Sequence, residues 1–168
     1  MAHDAFVADA KFGGSVSSLQ TEIKIGAAML LAYLAAAPLI AAALLIVINA
    51  GHNVQTFAGF MVLYGAVLIV FFGGVRWGVA VMKPEGPTMQ SLLGAAAPLL
   101  LALPLLLPLG GVLWKFPVIM ALTALLLVDD LNATRRGSGA PAWYLSVRLP
   151  LTVLIELAFL IAMAGMAR

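Results

Sequence analysis

The sequence has no cysteine and few charged or histidine residues. Of its 168 residues, 10% are charged, and the two histidines are His3 and His52. The missing cysteine excludes disulfide bonds, thiolate metal sites and a cysteine nucleophile. Two histidines leave little for a metal or haem site. We therefore predict no metal site, and the sequence leaves any cofactor unknown.

Motifs that mark soluble enzymes are also missing. The chain holds no Walker phosphate loop, no His-Glu-x-x-His, no Gly-x-Ser-x-Gly and no dinucleotide fingerprint. The net charge of +2 is too small to indicate a nucleic-acid partner. We therefore assign no catalytic residue and expect a non-enzymatic protein.

Apolar residues dominate the chain. They make up 64% of it, and the mean hydropathy is +1.11. A soluble domain carries about 25% charged residues, so this chain has too little polar surface for water and must be surrounded by lipid. A membrane span needs about 20 apolar residues. The sequence thus predicts an all-α membrane protein, a bundle of five transmembrane helices over about 25–48, 55–77, 89–107, 112–128 and 143–166.

The first residues are polar and rich in glycine and serine. We interpret residues 1–17 as a flexible tail and 18–168 as a single membrane domain. Ser17 followed by Gln20 fits a capping box, which predicts a helix start near Ser18. Mixed charges and no short apolar core before Lys24 argue against a cleaved signal peptide.

The basic residues are distributed unevenly between the two ends of the bundle. Five spans leave Lys115 and Arg168 at one end. The other end receives the remaining basic residues, which are Lys11, Lys24, Arg76, Lys83, Arg135, Arg136 and Arg148. The positive-inside rule places that second end, with the amino terminus, in the cytoplasm and the carboxyl terminus outside.

Polar and aromatic residues gather at the cytoplasmic ends of three spans. The candidate ligand-binding residues there are Arg76, Trp77, Asp129, Trp143, Tyr144 and Arg148. Two arginines can hold a phosphate or carboxylate group, with Asp129 orienting one of them. Such residues also form anchoring belts and structural ion pairs at membrane interfaces, and that ordinary interpretation carries more weight. Asp129 and the adjacent Asp130 lie ~100° apart on a helix, so one of the two faces the bundle, and the sequence leaves open which one.

Glu156 and a glycine cluster are the other candidates. Glu156 lies eight residues beyond Arg148, ~12 Å deeper along a helix. It either lines a deep cavity between spans two, three and five, or is a protonated acid bonded to a carbonyl group. Gly73, Gly74 and Gly78 predict close helix packing within the chain, with a dimer contact as the alternative.

These segments resemble a known family. Gly73-Gly74-Val75-Arg76-Trp77-Gly78, together with Trp143-Tyr144 and Arg148, is similar to the motifs of the domain-of-unknown-function 3429 family, which includes mitochondrial transmembrane protein 69 of animals. The resemblance implies a small multi-pass protein of the bacterial inner (plasma) membrane or mitochondrial inner membrane, and no activity. A looser, architectural likeness connects the chain to the tryptophan-rich sensory (translocator) proteins, five-span proteins that bind porphyrins and sterols.

Taken together, the residues favour a membrane protein that binds or transports an amphipathic small molecule. The molecule would be a lipid, quinone or porphyrin-like compound whose anionic group lies at the cytoplasmic interface. The first alternative is an accessory or assembly subunit. Its partner, besides membrane lipid, would be a second copy of the chain in a homodimer or another inner-membrane protein. An intramembrane enzyme ranks third.

Overall fold

The regular structure of the described residues is entirely helical. The computed structural model describes residues 2–48, 53–108, 110–137 and 140–168. Its helices are α1 (Ala2–Ile48), α2 (Val54–Val81), α3 (Met89–Leu106), α4 (Lys115–Arg135) and α5 (Ala142–Met166). Each contains a segment that is long and apolar enough to cross a membrane. The predicted fold class, an all-α protein with five such helices, is confirmed.

Helix α2 occupies the middle of the bundle. It packs against each of the other four helices, and half of its most apolar segment is buried. Phe72 and Ile69 on α2 belong to the core, in which Phe116 of α4 meets Phe159 of α5 edge to face at 4.9 Å. Large apolar side chains also point outward all around the bundle, including Leu34, Leu63, Phe71, Leu100, Leu125 and Leu160. A surface this apolar suits lipid rather than water.

Three helices extend further than the sequence predicted. The backbone of α1 is helical from Ala2, so the helix start predicted near Ser18 is wrong. The division of the chain into a tail and a membrane domain stays a prediction. Helix α2 continues past Trp77 to Val81, and α4 continues past Asp130 to Arg135. Hydropathy marks where an apolar segment ends, whereas a helix continues until a turn or a proline stops it.

The loop between α2 and α3 shapes one end of the bundle. Pro84 and Gly86 turn the chain after α2, and the backbone of Gly86 is in the left-handed region with a φ of 80°. Helix α3 then begins with a capping box, in which the Ser91 backbone N–H donates to the Thr88 hydroxyl oxygen and the Thr88 backbone N–H donates to the Ser91 hydroxyl oxygen. At the opposite end, buried Lys115 donates hydrogen bonds to the carbonyl oxygens of Leu105 and Leu107, which cap α3.

Candidate functional site

An ion cluster joins α2, α4 and α5 near one end of the bundle. Asp130 lies between two arginines: its Oδ1 accepts from Arg76 Nε at 2.8 Å and its Oδ2 from Arg148 Nε at 3.2 Å. Asp129 pairs with Arg76 Nη1 at 2.8 Å. The Arg76 Nη2 group donates to the carbonyl oxygen of Leu126 at 3.0 Å. Both arginines are thus paired with carboxylates of α4, and their contact with a ligand stays a prediction.

Arg148 is the most buried member of the cluster. Its side chain is fully buried, and its guanidinium carbon lies 3.3 Å from the centre of the Phe72 ring. The Nη1 group donates to Thr152 at 2.7 Å, while Nη2 has no hydrogen-bond partner among the described residues. A buried charge requires a counter-charge and hydrogen bonds, and Asp130 supplies the counter-charge. Arg148 therefore braces α5 against α2 and α4.

The sequence left open which of two adjacent aspartates faces the bundle, and in the structure it is Asp130. Its side chain is 12% exposed, whereas that of Asp129 is 69% exposed. Phe116 and Thr123, both buried, precede Asp130 on α4 at intervals of seven residues. Positions seven apart lie on nearly the same helix face. That spacing was the available signal, because it assigns Asp130 to the buried face of α4.

A cavity of about 180 Å³, lined by both polar and apolar residues, adjoins the cluster. It lies between α2, α3 and α4, with part of α5 beside it. Its polar and charged lining residues are Arg76, Lys83, Gln90, Ser91, Asp129, Asp130, Thr134 and Tyr144. Of the predicted site residues, Arg76, Asp129 and Tyr144 therefore meet at one cavity.

A second cavity, of about 280 Å³, continues along α2, α3 and α4. Its lining is almost wholly apolar and includes Ile69, Ala97, Pro98, Leu101, Leu122, Leu125 and Leu126. Arg76, Gly94 and Asp129 line both cavities, so the two spaces adjoin at these residues. Together they make a cleft with a polar end and an apolar end. We call the first space the polar cavity and the second the apolar groove.

Several polar groups of the polar cavity are not engaged. Lys83, Gln90 and Tyr144 show no side-chain hydrogen bond or ion pair to another residue in the described part of the chain. The exposed carboxylate of Asp129 has one partner, Arg76. The cavity thus offers an ammonium group, an amide, a phenol hydroxyl and a carboxylate to a ligand.

Four predicted ligand-binding residues line neither cavity. Trp77 and Trp143 are 47% and 48% exposed and lie on the outside of the bundle, which suits interfacial anchoring. Arg148 is enclosed by its cluster. Glu156 lies between α4 and α5, where buried Thr123 donates to its Oε1 at 2.6 Å. The cleft follows α2, α3 and α4 and does not reach Glu156, so the deep cavity predicted between spans two, three and five stays a prediction.

The three packing glycines divide into two groups. A Cβ atom at Gly73 would lie 2.9 Å from the carbonyl oxygen of Ala95 and 3.1 Å from Pro98 Cβ on α3. At Gly74 and Gly78 it would meet no described atom within 4 Å. Gly73 therefore packs closely against α3 within the chain. Gly74 and Gly78 have open space where a side chain would begin, and a dimer contact at these two glycines stays a prediction.

The described part of the chain does not bring together side chains that could coordinate a metal ion. Groups of three or more histidine, cysteine, aspartate or glutamate residues that could hold a metal ion do not occur there. The site instead combines an ion cluster, a small polar cavity and an apolar groove. That combination suits non-covalent binding of a molecule with a charged end and an apolar end.

Comparison with known proteins identifies a family but finds no relative from which an activity could be inferred. A model of the family described as protein of unknown function (DUF3429) matches residues 25–164. No curated protein and no solved structure matches the chain.

Proposed function

Because the chain belongs to the DUF3429 family, whose description carries no activity, we propose a function from the geometry of the cleft. The protein binds an amphipathic small molecule, with the anionic group in the polar cavity and the apolar part in the apolar groove. One observation carries this proposal: the two cavities adjoin at Arg76, Gly94 and Asp129. A polar space and an apolar space in contact match the two ends of one amphipathic molecule.

The chemistry of the lining residues supports the proposed orientation of the ligand in the cleft. Lys83, with no partner among the described residues, is a cation at the polar end. The groove offers leucine, isoleucine, alanine and proline side chains, which favour an acyl, isoprenoid or other apolar chain. The two cavities measure about 180 and 280 Å³. Ligand sites usually measure ~300 to 1,000 Å³, so the two cavities taken together fall within this range. A lipid, a quinone or a porphyrin-like compound has the required polarity.

The arginines act differently in this proposal from what the sequence suggested. Arg76 and Arg148 hold α2, α4 and α5 together through Asp130, and so give the cleft a fixed wall. Lys83 and Tyr144 are the cavity groups that meet the ligand. Arg76 contributes its positive charge without releasing its carboxylate partners.

The distribution of basic residues gives the orientation that we propose. The loops at Lys83 and Arg135 belong to the same end of the bundle as the polar cavity. The positive-inside rule places that end in the cytoplasm. We infer a multi-pass protein of the bacterial inner membrane that receives the anionic end of its ligand at the cytoplasmic interface.

A glycine substitution tests the cleft without touching its charged groups. Gly94 lies where the two cavities adjoin, and a Cβ atom there meets no described atom within 4 Å. Because Gly94 lines both cavities, leucine at this position would take up space at the place where the polar cavity and the apolar groove adjoin. Gly74→Leu is the matched control, because Gly74 also lies inside a helix with open space but outside both cavities.

The measurement is native mass spectrometry of the full chain purified in a mild detergent, followed by solvent extraction of bound molecules. We expect the wild type and Gly74→Leu to carry the same discrete amphipathic compound. We expect Gly94→Leu to lose it while retaining its thermal unfolding transition. If no single compound is enriched in the wild type relative to Gly94→Leu, or if folded Gly94→Leu retains the compound, the proposal is wrong.

One observation favours an accessory or assembly subunit as the second candidate. Gly74 and Gly78 leave an open notch on the outer face of α2, beside exposed Phe71 and Trp77. Small residues allow a helix of another protein to approach closely in a membrane. In that case Gly74→Leu would release a co-purifying protein, whereas Gly94→Leu would keep it. The two variants thus distinguish the two functions.

A further inference from the structure

We propose that the polar cavity recognises a head group that carries both a phosphate and a primary ammonium group, as in an aminophospholipid. This inference rests on the proposed function, and it names the class of the ligand. It follows from which charges in the cavity are already paired and which remain available.

The available cation in the cavity is Lys83. Its side chain is half-buried and lines the polar cavity, with no ion pair to a described residue. Arg76, by contrast, uses Nε, Nη1 and Nη2 for Asp130, Asp129 and Leu126. A lysine ammonium is a compact point charge that binds a phosphate oxygen from a flexible stem. Lys83 is therefore the group that we assign to the phosphate.

The available anion is Asp129. Its Oδ2 pairs with Arg76 Nη1, and its side chain is 69% exposed beside the cleft. An ionised carboxylate accepts about four hydrogen bonds, so Asp129 has acceptor capacity left over. A primary ammonium group offers three N–H donors to such a carboxylate. Asp129 is therefore the group that we assign to the ammonium.

The groups that remain available favour a zwitterionic head group. Arg76 and Arg148 already balance the charges of Asp129 and Asp130, so Lys83 is the cation left for a phosphate. Asp129 has one charged partner and an exposed side chain, so it can also accept hydrogen bonds from an ammonium group. A quaternary ammonium has no N–H to donate, and its usual binding partner is a cage of several aromatic rings. Tyr144 is the one aromatic side chain among the residues that line the polar cavity.

Lipids that differ only in their head group test this assignment. Delipidated full-length protein in detergent would be titrated with phosphatidylethanolamine, phosphatidylcholine and phosphatidylglycerol of the same acyl composition, with native mass spectrometry as the readout. We expect phosphatidylethanolamine to bind about tenfold more tightly than phosphatidylcholine, the value of one charge-assisted hydrogen bond. We also expect it to bind more tightly than phosphatidylglycerol.

Two charge-neutralising variants assign the contacts. Asp129→Asn should abolish the preference for phosphatidylethanolamine over phosphatidylcholine, and Lys83→Gln should weaken the binding of all three lipids. Their matched controls are Glu85→Gln and Arg136→Gln, exposed residues outside both cavities that undergo the same change of charge. Each control should behave as the wild type. Thermal unfolding verifies that every variant is folded.

Competition with a water-soluble analogue shows whether the head group belongs to a lipid or to a free small molecule. Glycerophosphoethanolamine has the same phosphate and ammonium without acyl chains. If it displaces the lipid only at much higher concentration, the ligand is the lipid; if it binds as tightly as the lipid, the ligand is the free zwitterion. If the three lipids bind equally tightly and the Gly94→Leu variant binds none of them, the head-group assignment is overturned and the proposed function stays intact. Binding of no lipid would overturn the head-group assignment, and the proposed function would then depend on whether the purified wild type carries another amphipathic compound that Gly94→Leu loses.

Discussion

At the residue scale, two adjacent aspartates have different surroundings and therefore different roles. Asp130 is largely buried between Arg76 and Arg148, whereas Asp129 extends toward the cleft. Consecutive helical residues point about 100° apart, so one of the pair enters the core while the other stays accessible. The buried aspartate supports the bundle, and the accessible one is available to a ligand.

Asp130→Asn should destabilise the protein much more than Asp129→Asn. Removing one partner of a buried ion pair costs about 3–5 kcal/mol, because the remaining charge stays buried. An exposed pair contributes about 0–1 kcal/mol. The free energy of unfolding in detergent measures both effects. Adding Arg148→Met to Asp130→Asn should recover part of the loss by removing the stranded cation. Equal losses in the two single variants would contradict this account of the cluster.

At the element scale, α3 approaches α2 closely at one glycine. The carbonyl oxygen of Ala95 and the ring of Pro98 lie where a side chain at Gly73 would begin. A close backbone approach of this kind allows dispersion and weak C–H···O contacts between membrane helices. Because α3 forms one wall of the cleft, its contact with α2 also fixes the width of the apolar groove.

Gly73→Ala should separate α2 from α3 and destabilise the protein by about 1–3 kcal/mol, the usual cost of overpacking. The atom that a new methyl group meets first is backbone, which does not move aside cheaply. Gly74→Ala is the control, and it should stabilise the protein by about 0.5–1 kcal/mol because alanine loses less conformational freedom than glycine in a helix. Denaturant or thermal unfolding in micelles gives both values. A Gly73→Ala protein as stable as Gly74→Ala would show that the two helices do not depend on this contact.

At the scale of the whole molecule, the five helices alternate in direction, and their basic residues gather at one end. The α2–α3 and α4–α5 connections share that end, and the α3–α4 connection lies at the other. Lys115, at the other end, is buried and occupied with the carbonyl groups that end α3. This asymmetry is the basis of the proposed orientation, in which the polar cavity faces the cytoplasm.

Single cysteines would establish the orientation, because the natural chain contains none. Glu85→Cys lies in the α2–α3 loop and Gly111→Cys lies between α3 and α4. In intact bacterial cells, a membrane-impermeant maleimide should label Gly111→Cys and leave Glu85→Cys unlabelled. Inside-out vesicles should give the reverse pattern. Labelling of Glu85→Cys from outside would reverse the orientation and place the polar cavity on the outer face.

The sequence by itself determined the class of protein, the five apolar helices and the depth of the main polar residues. These properties depend on hydropathy and on the fixed rise of a helix, so that Arg76, Asp129 and Arg148 were predicted to meet near one end. The motif around Gly73 and Arg76 also indicated the family that the comparison confirmed.

Only the tertiary structure decided the direction in which each of these residues faces. Asp130, rather than Asp129, bridges the arginines; Trp77 and Trp143 point outward; and Lys83, taken as a loop cation, lines a cavity. A linear sequence fixes how far along a helix a residue lies. Which neighbour it faces depends on the rotation and packing of all five helices, and a cleft exists only where that packing leaves a space.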